Sequence, residues 1–343
     1  MNFGCVSAVS CKVHHLHSIF PTPTISGYRP GTNFDARRCL QDTELGRWGS
    51  EGLLPTRHTT GSRGNAARPI HETFDLIFGT STGSIIAALL AVGRSVDEIH
   101  ELYKERVPAI MRAKSRYAKS AELRETGEKV FGTTGFDTVL TGLGIVSTKW
   151  QLETPLIFKS RQTQAHGRRA TFEPGFGCTL ADAVEASCSA FPFFDRKTVT
   201  TSAGDVVELF DGGYCANNPA LYALADATVA LGYAPKDCRL LSLGCGQYPE
   251  PRRGFIARQI RSFLPVQLLQ KTLEVNTASM DQLRRLLYSN VPTVRISDTF
   301  DKPELATDMF EHDLRKLNLL LQQGAESFAR REGDVRALLL NED

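Results

Sequence analysis

Two short stretches of this 343-residue chain carry residue types that can perform hydrolytic chemistry. The first is Gly79-Thr80-Ser81-Thr82-Gly83, a G-x-S-x-G. A serine hydroxyl becomes a nucleophile when a tight strand-to-helix turn exposes it and a base accepts its proton. Small residues two positions either side, here Gly79 and Gly83, let the backbone fold that sharply. The bare pattern is weak, since chance supplies about 0.15 occurrences in a chain of this length, and only its context raises it.

A base is therefore needed. Asp211-Gly212-Gly213 offers a carboxylate, and Gly212 and Gly213 would let backbone and substrate approach it closely. Asp-Gly is also a common hairpin turn, but the helix start at Pro219 does not suit a simple hairpin. The histidines after residue 70 are His71, His100, His166 and His312. An α/β-hydrolase triad, in the order serine, acid, histidine, would use His312, which falls on the exposed face of a helix expected over 309–323. That fold also needs several strands before its serine, and residues 1–70 do not supply them. Asp211 and a histidine remain the two candidate bases at this point.

The elements around these residues decide how they are presented. Phe74 to Phe78 is an apolar run of the buried-strand kind, and Ser84 to Val92 is helix-forming up to Gly93. Ser95-Val96-Asp97-Glu98 is a capping box that opens an amphipathic helix. Strand, sharp turn and helix form an α/β unit, in which sites lie at the C-terminal ends of strands. Val206 to Phe210 is a strand running into Asp211, so the candidate carboxylate falls on that same rim. Further strands are expected over 154–158 and 239–244, and helices over 266–287 and 309–323. The basic stretch Arg112, Lys114, Arg116 and Lys119 reads as a solvated face, with contact to an anionic membrane surface as the alternative.

Residues 1–70 differ in composition. They hold 8 Lys/Arg against 4 Asp/Glu, four of the eight histidines and 13 Gly or Pro, and they sustain no long periodicity. They are expected to be irregular or poorly ordered. The whole chain has a net charge of +2, which argues against a nucleic-acid binder. The eight cysteines show no C-x₂-C pair or other metal-binding spacing, so no metal is expected and reduced thiols in the cytoplasm are. No apolar run is long enough for a transmembrane helix, and no secretory signal pattern opens the chain.

Four blocks, taken together, resemble the patatin-like phospholipases. Phe74 to Gly83 looks like the family's strand and nucleophile elbow, and Asp182 to Pro192 is similar to its A-x-x-A-S-x-A-x-P helix. Phe210 to Pro219 resembles its D-G-G/A…N-N-P segment, and Leu240 to Gly246 its S-L-G-T-G strand and turn. The resemblance covers about residues 74–246. It implies an α/β three-layer fold with a mainly parallel central sheet, helices on both faces and a helical C-terminal region. The division expected is an irregular 1–70, a catalytic domain over 71–250 and a helical extension over 251–343. It further implies a Ser–Asp dyad, Ser81 as nucleophile and Asp211 as general base, acting on acyl esters of phospholipids or other lipids. Neither metal nor organic cofactor is implied, and the partner is a membrane surface reached peripherally.

The family also opens with a strand and a D-G-G-G-x-R-G loop whose N–H groups form the oxyanion hole. Its nearest counterpart here is Gly49-Ser50-Glu51-Gly52, which lacks the triple glycine and the arginine. Removing a single oxyanion donor costs about 10²–10³ in turnover. Three accounts fit: a degenerate loop, a catalytically impaired relative that binds lipid or a partner, or a first 70 residues that are not the domain's authentic start.

Overall fold

A computed structural model describes residues 6–11, 69–167, 169–249 and 264–340. Among these residues eight strands form one sheet: β1 (Val6–Cys11), β2 (Leu76–Thr80), β3 (Gly142–Lys149), β4 (Pro155–Lys159), β5 (Lys197–Thr200), β6 (Val206–Asp211), β7 (Cys238–Leu243) and β8 (Thr293–Ile296). Their order is β5-β6-β3-β2-β1-β7-β8, with β4 also paired to β3. Strand direction makes the sheet mixed. β2, β3, β5, β7 and β8 run one way, while β1, β4 and β6 run the other.

Alternation along the strands builds two cores, because successive side chains point to opposite faces of a sheet. Ile77 and Leu241 enter one core, whereas Leu76, Phe78 and Leu240 enter the other. Helices α1 (Thr82–Ala91), α2 (Val96–Arg112), α3 (Arg116–Phe131) and α4 (Leu180–Cys188) contribute to the larger core. On the opposite face, α5 (Ala220–Ala225) and the π-turn Asp226–Ala230 that continues it supply Ala220, Ala223, Leu224 and Ala227. The C-terminal helices α6 (Leu264–Leu287) and α7 (Leu314–Leu340) add Leu269, Leu273, Phe328 and Val335 to the first core. The expected capping box is present at α2, where Ser95 accepts from Glu98 N–H and the Glu98 carboxylate accepts from Ser95 N–H.

The structure refines three expectations. Residues 1–70 are not irregular throughout, because Val6–Cys11 is a buried strand pairing antiparallel with both β2 and β7. Both of its faces are buried, Val6 and Ala8 in one core and Val9 and Cys11 in the other, so its six residues carry no apolar–polar alternation to read in the sequence. The C-terminal region is helical over α6 and α7, and between them Thr293–Ile296 pairs parallel to β7 as β8. The last long helix begins at Leu314 and not at Met309, so His312 lies in the loop before it.

Candidate active site

The site sits where the C-terminal ends of β2 and β6 meet along β3. Register places Thr80 beside Val146 and Asp211 beside Ser147, while β4 takes the other edge of β3 at both positions, so the serine strand and the aspartate strand share one edge of β3 and meet end to end. At the end of β2 the chain turns directly into α1, and Ser81 takes φ 53° and ψ −130°. Such a conformation is strained for a residue with a side chain and persists only where its surroundings impose it. The turn requires glycine beneath it: a Cβ on Gly79 would lie 2.2 Å from the Gly83 carbonyl oxygen. Ser84 N–H and the Ser84 hydroxyl both donate to the Ser81 carbonyl, at 2.8 and 2.6 Å, which closes the first turn of α1.

Ser81 Oγ donates to Asp211 Oδ2 at 2.7 Å. The other carboxylate oxygen, Oδ1, accepts the Gly213 N–H at 2.7 Å. Both side chains are buried, with Ser81 6% and Asp211 3% exposed. Burial raises the Asp211 pKa to about 7, although the bonds from Ser81 and Gly213 pull it down. Gly212 permits the close passage of this segment over β3, because a Cβ there would meet the Val146 carbonyl oxygen at 2.1 Å.

Hydroxyl groups fix the ends of β2 and β6 and the adjoining part of β3 in place. Thr80 Oγ1 donates to the Ala216 carbonyl at 2.7 Å, and Thr148 Oγ1 to the Asp211 carbonyl at 2.9 Å. Ser147 Oγ donates to the Phe210 carbonyl at 2.9 Å. The end of α4 reaches the same place. Ser187 Oγ accepts the Ser81 N–H at 2.9 Å and donates to the Val146 carbonyl at 2.6 Å.

The structure thus brings Ser81, Asp211, Gly79, Gly83, Gly212 and Gly213 together. It does not bring a histidine to them. Among the described residues none hydrogen-bonds Ser81 or Asp211; His166 is held by Asp226 at 2.8 Å, and His312 contacts the carbonyl of Phe310 in its own loop. The stretch Gly49-Ser50-Glu51-Gly52 lies outside the described residues. Ser187 lies in the stretch Asp182 to Pro192, whose pattern assigns it no task. Its partner Ser81 is 106 residues away, a distance over which spacing carries no signal.

A three-layer α/β fold with a serine on a strained elbow and a buried carboxylate at 2.7 Å has the organisation of a hydrolase site. The comparisons give the particular family. The family model described as "Patatin-like phospholipase" matches residues 68–224, a span that includes both Ser81 and Asp211. The chain is 57% identical over 272 residues to the "cUMP-AMP-activated phospholipase" of Escherichia coli, covering 79% of this chain and 85% of that protein. It is 28% identical over 236 residues to "Patatin-like protein 2" of Arabidopsis thaliana, covering 57% and 55% of the two chains. A "cGAMP-activated phospholipase" of Escherichia coli (strain TW11681) is 28% identical over 192 residues, covering 51% of each. The chain belongs to the patatin-like phospholipase family, and its class is that of lipid hydrolases. No helix among the described residues is long and apolar enough to cross a membrane.

Proposed function

We propose that the chain cleaves acyl esters of phospholipids with Ser81 as nucleophile and Asp211 as general base. The observation that supports this most directly is the 2.7 Å bond from the Ser81 hydroxyl to a carboxylate whose pKa is raised to about 7. A base poised near the working pH is matched to proton transfer. As Ser81 Oγ attacks the ester carbonyl, its proton passes to Asp211 Oδ2. The N-terminal end of α1, a helix of ten residues, directs its dipole at the oxyanion that forms. Collapse breaks the bond to the lysolipid alcohol, which takes the proton back from Asp211 and leaves an acyl-Ser81 ester. Water then attacks that ester as Asp211 accepts its proton, and fatty acid departs while the proton returns to Ser81. The lipid substrate places the reaction at a membrane surface, reached by peripheral contact.

The relative that is 57% identical is named for activation by cUMP-AMP. We extend that regulation to this chain: a cyclic dinucleotide switches the hydrolase on. The test is fatty-acid release from phospholipid vesicles, with and without cUMP-AMP. Ser81→Ala is expected to lower the stimulated rate at least about a thousandfold, and Asp211→Asn about 10²- to 10⁴-fold. Release that survives Ser81→Ala overturns the nucleophile. A folded wild type that releases nothing under either condition overturns the hydrolase reading in favour of an impaired, lipid- or partner-binding relative. Activity that is equal with and without the dinucleotide overturns the regulation alone.

A further inference from the structure

We infer that Ser187 is the positioning residue of this site, the group that sets the nucleophile against its base. The inference rests on the Ser–Asp reading above and goes beyond it, because neither the reaction nor the elbow pattern calls for a hydroxyl at this position.

The geometric problem is specific. β2 ends at Thr80, beside Val146, and β6 ends at Asp211, beside Ser147, so the two strands run towards each other along one edge of β3. They meet end to end and not side by side, so no ladder of β2–β6 hydrogen bonds sets the distance between them. Ser81 lies just past the end of β2, in the elbow. A group beside the sheet must fix its main chain to the few tenths of an ångström that a short hydrogen bond requires.

The end of α4 does this with three groups. The Ser187 hydroxyl takes the Ser81 N–H at 2.9 Å and gives its own proton to the Val146 carbonyl of β3 at 2.6 Å. The Ser187 carbonyl accepts the Gly212 N–H at 3.3 Å, and the Ser189 carbonyl accepts the Asp211 N–H at 3.0 Å. One helix end therefore grips the main chain of the nucleophile, of β3 beside it, and of the base. Ser187 is 0% exposed, so water cannot replace its hydroxyl, and its donor and acceptor functions are both used. The bond also explains how the strained φ of 53° at Ser81 is held. It has a chemical corollary as well: the Ser81 N–H is occupied and does not serve as an oxyanion donor.

Ser187→Ala removes the grip on Ser81 and leaves the grip on Asp211, whose bonds come from backbone carbonyls. With Ser81 free to draw back, its hydrogen bond to the carboxylate lengthens. That bond favours the ionised form, so its loss moves the carboxylate's titration upward.

The experiment compares wild type, Ser187→Ala and Ser187→Cys on vesicles under the stimulated condition, with Ser81→Ala as the reference for the reading itself. For Ser187→Ala the expected result is a fall in kcat of about 10- to 100-fold at an unchanged KM, as for loss of orientation. The pH midpoint of kcat is expected to rise above the wild-type value. Ser187→Cys keeps a weak donor and acceptor at similar size and is expected to recover part of kcat and to return the midpoint towards wild type. A merely structural serine would lower the folded fraction without moving the midpoint, and that result overturns the proposal. Wild-type kcat and midpoint in Ser187→Ala overturn it too. Should Ser187→Ala fail to fold, Ser187→Cys decides: a midpoint raised above wild type supports positioning, and an unchanged one overturns it. A live Ser81→Ala sinks the dyad instead, so the two failures are distinct.

Discussion

At the scale of single residues, the site is governed by a buried carboxylate. Burial disfavours its charged form and lifts the Asp211 pKa from the usual carboxylate range to about 7. Only the ionised form accepts the Ser81 proton, so kcat is expected to climb as pH rises through about 7 and then level off; a pH profile on vesicles checks this. A rate that is flat from pH 5 to pH 9 would remove Asp211 as the base. The same shift has an opposite sign for stability. A carboxyl that is harder to ionise when folded holds its proton better in the native state, so its stabilising contribution is complete below about pH 4 and is lost as pH rises through about 7. Asp211→Asn, which cannot ionise, is expected to flatten that decline in chemical denaturation across the same window. Legibility at this scale was good for types and poor for relations. Ser81 and Asp211 announce themselves through their glycines, whose backbone constraints are local. Ser187 acts over 106 residues, and no local pattern records such a contact.

Elements carry the next level of constraint. The elbow was legible because the apolar run before Gly79 and the helix-forming run after Gly83 fix a turn between them. Steric limits make Gly79 irreplaceable there: with a Cβ 2.2 Å from the Gly83 carbonyl oxygen, Gly79→Ala must open the turn. It is expected to abolish vesicle hydrolysis and to lower the unfolding midpoint, and a fully active Gly79→Ala would mean that Ser81 is not held as described. Away from the site, the π-turn after α5 is pinned by a buried charge. Asp226, 1% exposed, accepts from Lys159 Nζ at 2.5 Å and from Gln164 Nε2 at 3.2 Å, and it also meets His166 Nε2. Asp226→Ala strands the Lys159 ammonium, itself 7% exposed, in a low-dielectric setting. Breaking such a buried pair costs about 3–5 kcal/mol, which denaturant unfolding would register; a change below about 1 kcal/mol would show that the pair is solvated. This turn was not legible. Its sequence reads as ordinary helix ending near Gly232, and the lysine and glutamine that bond Asp226 come from a distant segment. The same is true of β8, whose four residues look unremarkable until β7 is beside them.

For the molecule as a whole, the central sheet depends on a strand from the far N-terminal side. β1 lies between β2 and β7, with Val9 0% exposed and paired to Leu76 on one side and Leu240 on the other. Val9→Asp places an unpaired charge at the middle of the sheet and is expected to lower soluble yield and the thermal midpoint steeply; a midpoint within about 2 °C of wild type would show that β1 contributes little to the fold. Once β1 is seated, it hides two backbone edges that would otherwise template pairing with other chains. Seating it takes time. β2 is complete at Thr80 but β7 only at Leu243, so 163 residues (243 − 80) must be made before both neighbours exist. At about 5–20 residues per second on the ribosome, the half-built sheet waits roughly 8–33 s with an open flank. Among the described strands, the first to be made is thus locked in by the last but one. During synthesis this chain offers a prolonged opening to chaperones, and to other nascent copies of itself.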